Sequence, residues 1–211
     1  MVYSNRPNNR SLMEIIKEGY TRVTEVLSMW TTVFIEDGEV IGKAFAGSGF
    51  KIDIDVLENK AGIGTNVHTA IEAHLDGFSV PLNEREQFYF DSFRKWYDKS
   101  GCEVVEKEER YYDDELMITG KIDALVRFSN NDELILLDFK TSSQESPKMW
   151  PLQAVMYYYL LKKNGKVVSD RLLFLKLDRY GKDAKLFEYK FTPELFQICV
   201  AACACNRYIK S

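Results

Sequence analysis

Three residues near the middle of the chain could share one piece of chemistry. Asp123 lies in the run GKIDALVRF, and Asp138 and Lys140 close the run ELILLDFK. Side chains alternate along a strand, so Asp138 and Lys140 would emerge on one face and Leu137 and Phe139 on the other. An acid and an amine at i and i+2, after a run as apolar as LILL, are costly to bury unless they face each other, a metal or a cleft. If Asp123 emerges on the same side, two carboxylates and one ammonium meet in a small volume. Carboxylates that close repel, and a divalent cation is the usual way to keep both ionised. An exposed hairpin with charged ends would carry the same residues, so the rest of the chain has to decide.

The elements that must hold these groups follow from the pattern. The polar turn Ser129-Asn130-Asn131-Asp132 between two apolar runs predicts a β-hairpin. Residues 11 to about 30 are predicted helical, with a possible restart at Thr24-Glu25 after Gly19. The alternating stretch TTVFIEDGEVIGKAF, with Asp37-Gly38 at its middle, predicts a second hairpin. A short helix is expected over 53–60. GIGTNVHTAIEAHLDG then predicts a helix capped by Thr65, running to Leu75 and stopped by Gly77. A long amphipathic helix is expected from Pro81 to Lys99. Strands are expected over 104–112, 116–128, 133–140, 172–177 and 184–191, and helices over 149–163 and 193–209. The order gives an α/β fold with a mixed central β-sheet flanked by helices, in which helix 149–163 crosses between two parallel strands.

The 211 residues suit a single domain. Hydrophobic residues make up 45% and charged residues 28%, an ordinary globular composition. No apolar run reaches the roughly 20 residues that a membrane helix needs. MVYSNRPNNR lacks the apolar core of a secretion signal, so a cytoplasmic or organelle-matrix location (or the cytoplasm of an infected host) is the default expectation. A formal net charge of −4 argues against a large basic nucleic-acid footprint but not against a local one. The four cysteines, Cys102, Cys199, Cys203 and Cys205, read as buried thiols rather than as an iron–sulfur ligand set, because their spacing is poor for a cluster.

With these motifs placed, the sequence resembles the PD-(D/E)xK nuclease superfamily. Asp123, fifteen residues before Asp138-Phe139-Lys140, looks like its active-site signature. Gln153-Ala-Val-Met-Tyr157 matches the QxxxY signature of the RecB-like branch, and Gly64-Thr65-Asn66-Val67-His68 matches that branch's G-T-x-x-H helix. TRVTEVL at 21–27 is a weaker echo. The likeness covers about 62–178 and is nearest to stand-alone exonucleases of the branch, including the mitochondrial genome maintenance type and phage or CRISPR-associated relatives. One departure is Lys121-Ile122-Asp123 where the superfamily name has Pro-Asp. No cysteine precedes His68, so no iron–sulfur cluster is inferred by resemblance either.

The resemblance implies a restriction-endonuclease-like core over about 62–191 in a single domain spanning 1–211. It implies Mg²⁺ or Mn²⁺ held by Asp123, Asp138, the backbone carbonyl of Phe139, His68 and a third carboxylate. Hard cations favour such oxygen ligands, and imidazole tips the choice towards Mn²⁺. Glu106, Glu108 and Glu109 are candidates for the third carboxylate, with Glu108 favoured. Lys140 would orient or deprotonate the attacking water or offset charge in the transition state. Gln153 and Tyr157, on one helix face, would contact that lysine or the nucleic-acid strand. Thr141, Ser142 and Ser143 could donate to phosphate. Glu72, one turn after His68, could hydrogen-bond it, while His74 reads as surface and Tyr158 and Tyr159 as packing residues. The expected function is a metal-dependent DNA exonuclease acting on single strands or ends in replication, recombination or repair, with replication or recombination proteins as possible partners. A structure-selective endonuclease and a non-catalytic binding module are the alternatives. The first hairpin and residues 45–60 would cover the cleft and restrict access.

Overall fold

The computed structural model describes residues 17–37, 39–44, 52–129, 131–142 and 145–211. In chain order the elements are β1 (Thr21–Arg22), α1 (Val23–Leu27), a 3-10 turn (Ser28–Trp30), β2 (Thr32–Glu36), β3 (Glu39–Ala44), β4 (Ile52–Asp53), α2 (Ile54–Leu75) and α3 (Glu84–Ser100). They continue with β5 (Cys102–Lys107), β6 (Arg110–Asp113), β7 (Ile118–Lys121), β8 (Ala124–Phe128), β9 (Asn131–Lys140), α4 (Met149–Lys163), β10 (Val168–Lys176), β11 (Lys185–Lys190) and α5 (Pro193–Lys210).

The central sheet has the order β11-β10-β9-β8-β5. β9 and β10 are parallel, joined by α4 as the expected crossover, and the other pairs are antiparallel. The strand alternation sorts its side chains into two layers. Leu136, Leu172 and Phe174 pack with Val155, Met156 and Leu160 of α4 and Cys199 and Cys203 of α5. Ile135, Leu137, Phe139, Leu173 and Leu175 pack with Val67 and Ile71 of α2 and Phe93 of α3. The fold is thus α/β, with a mixed central sheet between helical layers. Two small sheets, β1-β7-β6 and β2-β3-β4, flank it among the described residues. No helix among them is long and apolar enough to cross a membrane.

Several expectations need correction. Of the helix predicted over 11–30, residues 11–16 lie outside the described residues, and the rest is β1, α1 and the 3-10 turn. The predicted break near Gly62 and Gly64 does not occur: α2 runs unbroken for 22 residues. Helix-interior glycine costs only about 1 kcal/mol each, and Gly64 has a packing reason, since a Cβ there would sit 3.1 Å from Thr141 Oγ1. Thr65 is not a cap; its hydroxyl donates back to the Ala61 carbonyl at 3.1 Å. α3 starts later than Pro81 because Asn83 caps it, accepting from Glu86 N at 3.0 Å while Glu86 Oε2 accepts from Asn83 N at 2.9 Å. The long strands predicted over 104–128 are four shorter ones. Glu108 and Met117 adopt left-handed backbone, with φ of 53° and 54°, and turn the chain there. The Asp37-Gly38 hairpin is present as β2–β3, paired Glu36 with Glu39, and Gly38 itself lies outside the described residues.

Candidate active site

β8 and β9 form the antiparallel hairpin that the central motif predicts, with Ala124 opposite Leu137. Asp123 occupies the bend just before β8, and Asp138 and Lys140 end β9. The peptide unit of Phe139 ties these pieces together. Its N–H donates to Asp123 Oδ2 at 2.6 Å. Its carbonyl lies 3.1 Å from His68 Nε2 on α2, and the other nitrogen, Nδ1, lies 3.3 Å from Asp123 Oδ1. A carbonyl and a carboxylate both accept, so this geometry suits an imidazole protonated at both nitrogens.

Glu108 joins this group from the turn after β5. Its carboxylate pairs with Lys121 at 2.5 Å, and its backbone N–H donates to the Asp123 carbonyl at 3.0 Å. One ligand atom each from His68, Glu108 and Asp123 lie within 4.8 Å of one another. They line a cleft of about 340 Å³ with Gly64, Thr65, Thr69, Glu72 and Lys121, room for a hydrated ion and a phosphate group given about 30 Å³ per water. Glu106 instead pairs with Lys166 at 2.5 Å. Strand alternation does not distinguish the two, because the left-handed turn at Glu108 interrupts it.

Asp138 and Lys140 face α4. Asp138 is 2% exposed, and Lys140 Nζ lies 2.6 Å from its Oδ2. Gln153 bridges the two residues: its Oε1 accepts from Lys140 at 3.0 Å and its Nε2 donates to Asp138 Oδ1 at 3.3 Å. The same amide meets Tyr157 Oη at 3.1 Å. Gly120 makes room for that tyrosine; a Cβ there would stand 2.8 Å from Tyr157 Cε1 and 2.9 Å from Leu160 Cδ1. Asp138 is not among the three converging ligand groups, and its carboxylate is turned towards this ladder. Thr141 is half-buried against α2 and Ser142 exposed, both directly after β9. Ser143 lies outside the described residues.

The electrostatics reflect this crowding. Burial would lower the His68 pKa, but the Asp123 charge and hydrogen bond, with Asp138 and Glu108 beyond, raise it to about 9. Burial would raise Asp123, but the cations of His68 and Lys140 and the Phe139 N–H hold it below the usual carboxylate range. Burial lifts Asp138 above that range and the Asp123 charge adds to it, against the pull of Lys140. Burial also raises Glu108, partly countered by Lys121. Tyr157 is raised, first by burial and then by the two aspartates, so its phenol stays neutral.

The donor set fits a hard divalent cation. Asp138 Oδ2 is buried; the Lys140 ammonium lies 2.6 Å from it but makes no aligned hydrogen bond to it. Beside it, His68, Glu108 and Asp123 bring one nitrogen and two carboxylate ligand atoms together, a set that suits such a cation. Two sites lay beyond the sequence signal. Lys121, two residues before Asp123, lines the cleft, and Gly120 fits under Tyr157. His74, expected at the surface, is half-buried and meets the rings of Phe90, Phe93 and Tyr97 edge-on. Tyr158 and Tyr159 pack against Phe191 and Phe196, as their spacing suggests.

Comparison with known proteins adds a family. A model of the PD-(D/E)XK nuclease superfamily matches residues 81–202. No curated protein sequence matches the chain. Among solved structures, a candidate exonuclease from Eubacterium rectale is 12% identical, with 90% of this chain and 79% of that one covered and a TM-score of 0.49. An alkaline exonuclease from Laribacter hongkongensis is also 12% identical, with 91% and 92% covered and a TM-score of 0.44.

Proposed function

We infer that this chain, which belongs to the PD-(D/E)XK nuclease superfamily, is a metal-dependent deoxyribonuclease of the RecB-like branch, working from the ends of single-stranded DNA. The observation that carries the reading is the Phe139 peptide, which gathers Asp123 and His68 on its two polar atoms and has Asp138 and Lys140 as its immediate neighbours. His68, Glu108, Asp123, Asp138 and the Phe139 carbonyl would hold Mg²⁺ or Mn²⁺, and the imidazole favours Mn²⁺. Such an ion lowers the pKa of water and neutralises charge building on the phosphate.

The chain's own residues would do the rest. Gln153 fixes the Lys140 ammonium beside Asp138, where it can orient the attacking water or meet the negative charge of the transition state. Tyr157, a neutral phenol, holds the other end of that amide. Lys121 keeps the Glu108 carboxylate turned into the cleft. Thr141 and Ser142, just past Lys140, would donate to the phosphates of the bound strand.

The test is incubation of 5′- and 3′-labelled single and double strands with Mg²⁺ or Mn²⁺, beside Asp138→Ala. Wild type should shorten single strands from an end, and the variant should leave them intact. Cutting of a circular single strand would make the enzyme an endonuclease. Equal cutting by wild type and variant would overturn the chemistry assigned to Asp138, and strands left intact by both would favour a non-catalytic binding module.

A further inference from the structure

The loop after β10 has features that the hydrolytic site does not use. Leu177 N donates to the Lys140 carbonyl at 2.8 Å, so the chain leaves the sheet beside the end of β9 that bears Asp138 and Lys140. Arg179 and Tyr180 follow, both exposed. Tyr180 is 60% exposed, and the Arg179 guanidinium lies 4.7 Å from its ring centroid. An aromatic ring left in water with a cation against it contributes little to folding, yet the backbone beneath it is tightly held.

Four hydrogen bonds fix that backbone. Asp178 Oδ1 accepts from Tyr180 N at 2.8 Å and from Lys182 N at 3.2 Å. Asp178 N donates to Ser92 Oγ of α3 at 2.9 Å. Lys95 Nζ, also on α3, donates to the Gly181 carbonyl at 2.6 Å. Gly181 takes a left-handed φ of 69° and lies buried against Phe88. α3 thus clamps the loop while Arg179, Tyr180 and Lys182 stay in solvent. Three residues span at most about 11 Å, so the Tyr180 backbone is within that reach of Leu177, whose N–H meets the end of β9.

We propose that Arg179 and Tyr180 form a stacking platform for one base of a DNA single strand lying across the end of β9, Arg179 backing the ring and bringing positive charge to the sugar-phosphate chain. The proposal rests on the nuclease reading above for its ligand. The chemistry fits: single strands are gripped by aromatic rings under bases and by cations along the backbone, without regard to sequence. A rigid loop suits the task because the ring's position is already fixed before the base arrives. The chain's net charge of −4 makes such a local patch, rather than a broad basic surface, the means of holding the strand.

The test measures binding of a short fluorescent oligodeoxynucleotide by anisotropy with metal chelated, for wild type, Tyr180→Ala and Tyr180→Trp, and for strands with an abasic site at each position in turn. Tyr180→Ala should weaken binding about tenfold, and Tyr180→Trp should keep it. An abasic site at one position should weaken wild type by the same factor and leave Tyr180→Ala unaffected. Wild-type affinity in Tyr180→Ala, or unchanged abasic sensitivity in it, would overturn the platform. Cleavage of the same strand with Mn²⁺, with Asp138→Ala as control, separates the two readings. Binding that depends on Tyr180 without any cleavage would remove the nuclease reading and keep the platform. Cleavage with binding indifferent to Tyr180 would do the reverse.

Discussion

Lys121 and Glu108 meet at 2.5 Å in the cleft wall, and that lysine and the left-handed turn beneath Glu108 orient its carboxylate. Lys121→Ala should therefore lower Mn²⁺ affinity roughly tenfold, the lower end of what loss of a supporting partner costs a metal site; isothermal titration checks it. His68 gives a pH effect in the metal-free protein. Its folded pKa, about 9, stands above the unfolded value of about 6.5. The stability it contributes is complete below pH 6.5 or so and disappears as pH rises through about 9. The urea midpoint of chelated wild type should fall across that window, by up to about 3 kcal/mol in free energy, and His68→Gln should flatten the fall. At this scale the D-x-K pair was legible because alternation is a local rule. The place of Glu108 was not, because a single left-handed residue resets the register.

At the scale of elements, helix α4 was legible to the residue, since its apolar positions repeat over four turns and both flanks are polar. Its distance from β7 was not. Gly120 lets Tyr157 and Leu160 lie against the strand, and no sequence pattern marks a glycine as room for a side chain more than thirty residues on. Gly120→Ala should drive a methyl into the Tyr157 ring, destabilise the protein by about 1–3 kcal/mol, and move the phenol off Gln153. Urea denaturation beside a single-turnover assay would show activity falling further than the folded fraction. The continuity of α2 is a related case. Local propensity puts a break at Gly62 and Gly64, while packing of Val67 and Ile71 under the sheet, with Thr141 close to Gly64, keeps the helix whole.

For the whole molecule, the layered α/β plan was readable from the order of elements, but the division into three sheets was not. That division depends on the tight turns at Glu108 and Met117 and on β1 pairing in parallel with β7, a contact between Thr21 and Ile118 that no short-range signal announces. The β2–β3 hairpin lies outside the central sheet and exposes Ile35 at 65%, an arrangement suited to a barrier rather than to core packing. Removing residues 33–44 should raise cleavage of closed circular or duplex DNA; end-dependence unchanged in a gel assay would count against a covering role.

β9 is flanked by a strand on each side and by helices on both faces, and residues 135–139 are all buried. Amides in such a strand exchange with deuterium only when the whole protein opens. Heat should therefore leave no long-lived species that keeps its shape but has lost its chemistry: on a temperature ramp, the curve of residual cutting and the curve of circular dichroism should superimpose.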